Sequence, residues 1–148
     1  MVGNASGELN FCHRQRRIDL LPLTKCRRAI GKRRALVARI DYNLFLASEA
    51  HLRGLKVGLK IDVAQVPSLA PYFDYAVNEQ CHEYKECGAL APFTQSGKPV
   101  FNAEYKEEYV KNASARAALC KSARDEKLRT LVLPLDLDDS FRYSCDAE

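Results

Sequence analysis

The sequence predicts an α/β fold built on a parallel sheet, and three observations carry that prediction. From residue 41 onward, strand-like apolar runs alternate with helix-like segments at intervals of about 20–30 residues, the spacing of βα units. Each apolar run is followed by polar or charged residues: Lys60 and Asp62, Asn78 and Glu79, Asn102 and Glu104, Asp136 and Asp138. The chain has 148 residues, 47% of them hydrophobic, which suffices for one domain with a core. No run of 18 apolar residues occurs, so no helix is expected to cross a membrane and no membrane is expected as a partner. The first residues, MVGNASGELNFCHRQRR, contain no apolar h-region, so no secretory leader is expected in the chain as written.

Charge divides the chain. Residues 1–40 hold ten Lys/Arg against two acids, a local net of +8, whereas the remainder holds thirteen against seventeen, a local net of −4. The stretches CHRQRR (12–17) and KCRRAIGKRR (25–34) flank one short apolar island, IDLLPL (18–23), and no sustained period runs through them. Residues 1–41 are therefore expected to be a basic, disordered arm, with at most a short helix over 33–40. Such an arm suits nucleic acid or an acidic surface. Nucleic acid is disfavoured as a partner because no aromatic is interleaved with the arginines.

The elements beyond the arm follow in order. YNLFLASEAHLR (42–53) carries a helical apolar stripe, and Gly54 is a natural stop. LKVGLK (55–60) predicts a short strand with Gly58 inside it. DVAQVPSLAP (62–71) predicts a brief helix with Asp62 as N-cap. FDYAVNEQ (73–80) is the second strand. Residues 83–96 predict a helix broken at Cys87-Gly88 and near Pro92. KPVFNAEY (98–105) is the third strand, residues 106–124 a long helix, and LRTLVLPLD (128–136) the fourth strand. In parallel α/β folds chemistry sits at the C-terminal ends of strands. Acids there also serve as helix caps and first-turn charges. Four polar strand ends in a row weigh towards a site.

The motifs resemble one family. EAHLRGLKVGLK (49–60), YFDYAVNEQCHEYKEC (72–87), GKPVFNAEY (97–105) and LPLDLDDSFRYSC (133–145) look like the endo-α-1,4-polygalactosaminidases, glycoside hydrolase family 114. Ile61 and His82 stand where family members usually carry Asn and an aromatic. The resemblance covers roughly residues 42–145 and implies about the last four βα units of a (β/α)8 TIM-type barrel, a fold of about 250 residues. Residues 42–148 are thus expected to be the C-terminal half of such a barrel. An earlier-strand Asp of the family has no counterpart in residues 1–40, and the basic residues after Thr24 read as foreign to the family, from a truncated or misassigned N-terminus.

The resemblance implies an enzyme that cleaves α-1,4 bonds in galactosamine-containing polysaccharide, secreted in its full-length form, with no cofactor. Activity of this shorter chain is expected to be weak or absent. A non-catalytic relative or a basic-arm binding protein is the alternative. Glu79 is implied as the catalytic acid/base. Lys60, Asp62, Asn78, Asn102 and Glu104 are expected to line one pocket, with Tyr84 and Tyr105 as aromatic faces for a sugar, although both tyrosines also read as packing residues. An acidic pocket suits a substrate bearing protonated amines. Cys81–Cys87 and Cys120–Cys145 are expected disulfides, since both pairs fall inside the matched region. A metal at Cys81, His82 and Cys87, with Cys12 and His13, lacks the usual ligand spacing, so no metal is expected. His51 reads as a packed or surface histidine. Asn4-Ala-Ser6 and Asn112-Ala-Ser114 are glycosylation sequons, usable only in a secretory pathway. Half a barrel has exposed strand edges, which implies possible self-association.

Overall fold

The computed structural model describes residues 23–60 and 63–146, with side chains from residue 35 onward except residue 36. Two units divide the chain, residues 1–42 and 43–148. Helix α1 runs Leu23–Leu52, so the short helix expected over 33–40 and the helix expected over 42–53 are one element. The described part of the arm, from Leu23 to Asp41, is therefore helical; the rest of it, with Cys12 and His13, lies outside the described residues. Lys, Arg, Leu and Ala are all good helix formers, and here propensity outweighs the lack of an apolar period. Gly54 ends the helix in the left-handed region at φ +71°. Its N–H reaches the His51 carbonyl at 2.9 Å and the Leu55 N–H reaches that of Ala50 at 3.0 Å, closing carbonyls that the helix leaves open.

The second unit is organised by a five-stranded sheet. Strands β1 (Gly58–Lys60), β2 (Tyr75–Glu79), β3 (Val100–Glu104) and β4 (Arg129–Val132) lie side by side in chain order, all parallel. Strand β5 (Tyr143–Ser144) adds antiparallel to β4. Parallel neighbours in chain order need right-handed crossovers, and these put every connecting helix on the same face. That is the arrangement of part of a TIM-type barrel.

The connections are short. Residues 63–72 form 3-10 turns around helix α2 (Val66–Leu69), and residues 87–90 form a 3-10 turn before helix α3 (Ala91–Gln95). The expected helix of 106–124 is two, α4 (Glu107–Lys111) and α5 (Ala113–Asp125), because Asn112 is extended and its side chain caps α5. The core lies between these helices and one face of the sheet: Val66, Leu69, Leu90, Phe93, Leu119 and Ala123 are buried, as are Leu59, Ala76, Val100 and Val132. Each such large side chain contributes about 1.5–3 kcal/mol on burial. Among the described residues no helix is long and apolar enough to cross a membrane.

The opposite face is open. There the Tyr75 ring meets Phe101 edge-on at 5.9 Å, and Phe101 is exposed. Tyr75 also explains Gly58: a Cβ at that position would stand 2.2 Å from the ring, so only glycine permits this close approach.

Among the described residues two disulfides, Cys81–Cys87 and Cys120–Cys145, fasten the loops. The second spans 25 residues, and loop-closure entropy assigns it about 3.5 kcal/mol. It holds β5, which two residues alone would not stabilise. Arg124 adds a bond to the Cys145 carbonyl at 3.1 Å. Arg116 lies over the rings of Phe141 and Tyr143 while donating to the carbonyls of Tyr109 and Val110.

Candidate active site

Strand parity decides which polar side chains meet. Neighbouring residues on a strand point to opposite faces, and register partners in a sheet share a face. Glu79 pairs with Ala103 and Lys60 with Val77, so Glu79 and Lys60 share the open face at the C-terminal ends of β1 and β2. Their charges meet at 2.8 Å, and both side chains stay well exposed. Tyr105, just past the end of β3, falls on the same parity. Burial pushes its phenol up, followed by the negative charges of Glu79 and Glu104, so it stays a neutral O–H donor.

Asn78, Asn102 and Glu104 face the other way. The expectation that they line one pocket with Glu79 and Lys60 is corrected by the register: Asn78 pairs with Asn102, and all three are buried on the helix-covered face. They form a chain. Asn78 Nδ2 donates to Asn102 Oδ1 at 3.4 Å, and Asn102 Nδ2 donates to Glu104 Oε1 at 2.9 Å. The same Oε1 accepts the His82 main-chain N–H at 2.9 Å. Glu104 is fully buried, and its Oε2 has no hydrogen-bond partner. The network therefore grips the chain before and after Glu79 from beneath. The same face carries Thr130, the register partner of Asn102, with its Oγ1 also unpartnered.

Immediately after Glu79 the backbone turns sharply. Gln80 sits at φ +58°, a left-handed conformation unusual outside glycine. Its N–H donates to the Ala103 carbonyl at 2.7 Å and its Nε2 to Glu83 at 2.9 Å. The turn delivers Cys81 into the core while Glu79 remains outside. Backbone strain of this kind gathers at functional sites, and the sequence carried no glycine to announce it.

The remaining expectations separate. Tyr84 is exposed in the disulfide loop. Asp62 lies outside the described residues. Asp136 and Asp138 follow β4 in an exposed turn, and bonds from Ser140 hold the Asp138 carboxyl below its ordinary value. Cys81, His82 and Cys87 offer ligand atoms within 4.8 Å of one another, but the two sulfurs are bonded to each other and are not free thiolates. Glu83 and Glu108 stand near Lys106, whose ammonium lies 2.6 Å from Glu108 and is pushed up by it.

Comparison with known proteins follows the same line. The profile of the glycoside-hydrolase family GH114 matches residues 36–148. The chain is also similar to the crystal structure of Aspergillus fumigatus Ega3 in complex with galactosamine, at 35% identity and a TM-score of 0.61. That likeness covers 72% of this chain and 44% of Ega3, so the chain spans less than half of its solved relative. No curated protein matches it.

Proposed function

The chain belongs to glycoside hydrolase family GH114, and on that premise we propose that it carries the acid/base side of a site cleaving α-1,4 bonds in galactosamine polysaccharide. The observation that supports this most is the position of Glu79: a carboxylate at a parallel strand's C-terminal end, on the open face, beside Lys60. There it is free to protonate a glycosidic oxygen as the C1–O bond breaks and then to take a proton from water. Lys60 orients the Glu79 carboxylate. Tyr105 donates a hydrogen bond to a sugar hydroxyl, and exposed Tyr84 offers an aromatic face. Asn78, Asn102 and Glu104 support the strand ends from behind.

Galactosamine in the Ega3 complex supports an aminosugar polymer as substrate, whose protonated amines suit a carboxylate such as Glu79. Two disulfides support an extracellular setting. Glycoside hydrolysis needs two carboxyl groups across the bond. Among the described residues no second strand-end carboxylate shares the open face with Glu79. The partner acid is therefore not among the described residues, and a chain that spans 44% of Ega3 is expected to show near-background activity on its own.

A chimera tests the reading, with residues 36–148 replacing the matching portion of Ega3. Reducing ends released from α-1,4-linked galactosamine polymer report activity. The chimera is expected to be active and its Glu79→Gln variant to lose about 100-fold or more. Full activity of a folded Glu79→Gln chimera contradicts the assignment.

A further inference from the structure

The helix break at Asn112 separates the two ends of one amide. Asn112 Oδ1 accepts the N–H groups of Ser114 at 2.9 Å and Ala115 at 3.2 Å, capping α5. Among the described residues Nδ2 has no hydrogen-bond partner, and residues 111–114 are exposed. Asn112-Ala113-Ser114 is a sequon, the acceptor pattern for N-linked glycans. The amide's two jobs do not compete: capping uses the oxygen, whereas a glycan takes the nitrogen.

We propose that Asn112 is an N-glycosylation site that carries its glycan on Nδ2 while Oδ1 continues to cap α5. The donor is an oligosaccharide on a lipid pyrophosphate. The Nδ2–C1 bond forms as the C1–O bond to pyrophosphate breaks; the lipid pyrophosphate leaves with the electron pair, and Nδ2 loses one proton. Transfer occurs on the entering chain, so the folded structure need only tolerate the product. An outward, unbonded Nδ2 on an exposed turn does so without disturbing the cap. The two disulfides agree with passage through an oxidising secretory compartment. The proposal does not rest on the hydrolase reading, because it concerns neither Glu79 nor substrate.

Cell-free translation of the full chain behind a cleavable secretory leader, with microsomes, tests it. Ser6→Ala removes the other sequon, Asn4-Ala-Ser6. The expected result is a slower band for the Ser6→Ala chain that collapses with an endoglycosidase and is absent from the Ser6→Ala/Ser114→Ala chain. Unglycosylated Ser114→Ala protein, which keeps Asn112, is expected to melt with the wild type, whereas Asn112→Gln melts lower because the cap is lost. An unshifted Ser6→Ala chain, protease-protected in microsomes that glycosylate a control protein, overturns the proposal. So does an endoglycosidase-sensitive shift that persists without Ser114.

Discussion

At the N-terminal ends of the strands, Asp74 collects three partners. Its carboxylate takes Lys56 at 2.8 Å, the Val57 N–H at 2.9 Å and His51 at 2.9 Å, and these bonds hold its carboxyl well below the usual range. Nearby, Lys98 donates to the carbonyls of Ala70 and Pro71. At the C-terminal ends the picture reverses. Among the described residues Glu79 meets Lys60 and keeps much exposed surface, Glu104 keeps one buried oxygen without a partner, and Gln80 holds a left-handed turn. Saturated charges bind the lower end together, while unsaturated ones leave the upper end able to bind something else. The same division separates the stability face from the working face in (β/α) barrels.

The comparison breaks most severely at Glu104. Glu104→Ala leaves the His82 N–H and the Asn102 amide without acceptors, each costing about 1–3 kcal/mol. We expect a loss of about 3 kcal/mol in denaturant unfolding and faster hydrogen exchange at His82, with Glu104→Gln losing less because an oxygen remains. Unchanged exchange at His82 in Glu104→Ala means the carboxylate does not hold the loop.

The lower end is tested next by Gly58→Ala. The added methyl meets the Tyr75 ring, which must move, at about 1–3 kcal/mol. Gly58→Ala with Tyr75→Ala should recover part of that loss; no recovery contradicts the steric account.

The smallest effect is a pH dependence. The folded Asp74 carboxyl lies below its unfolded value, so its stabilisation is fully present above about pH 5 and is lost as pH falls through the folded value. Asp74→Asn is therefore expected to be less stable than wild type near neutrality, with the two chains converging in strong acid. A constant gap down to the acid limit contradicts a titrating role.

Much of this was legible in the sequence. The four parallel strands fall within the four apolar runs, and Gly54 stops its helix as read. The facing of the site was not legible. Asn78, Glu79, Asn102 and Glu104 all sit at strand ends, but only cross-strand register shows that Glu79 aligns with Ala103 and turns away from Glu104. β5 went unseen because two residues have no period; a disulfide and Arg116 hold it. The break at Asn112 was hidden because the residues on either side favour helix, and the cap was visible only as a sequon.

The central claim is that the open face at the upper end, around Glu79, holds the aminosugar. Galactosamine titrated into the isotopically labelled chain, followed by amide chemical shifts, tests it most directly. The account predicts saturable shifts at Lys60, Glu79 and Tyr105, none at Val57 or Asp74, and weaker binding by Glu79→Gln. Shifts centred on the lower end, or identical binding by Glu79→Gln, would contradict it.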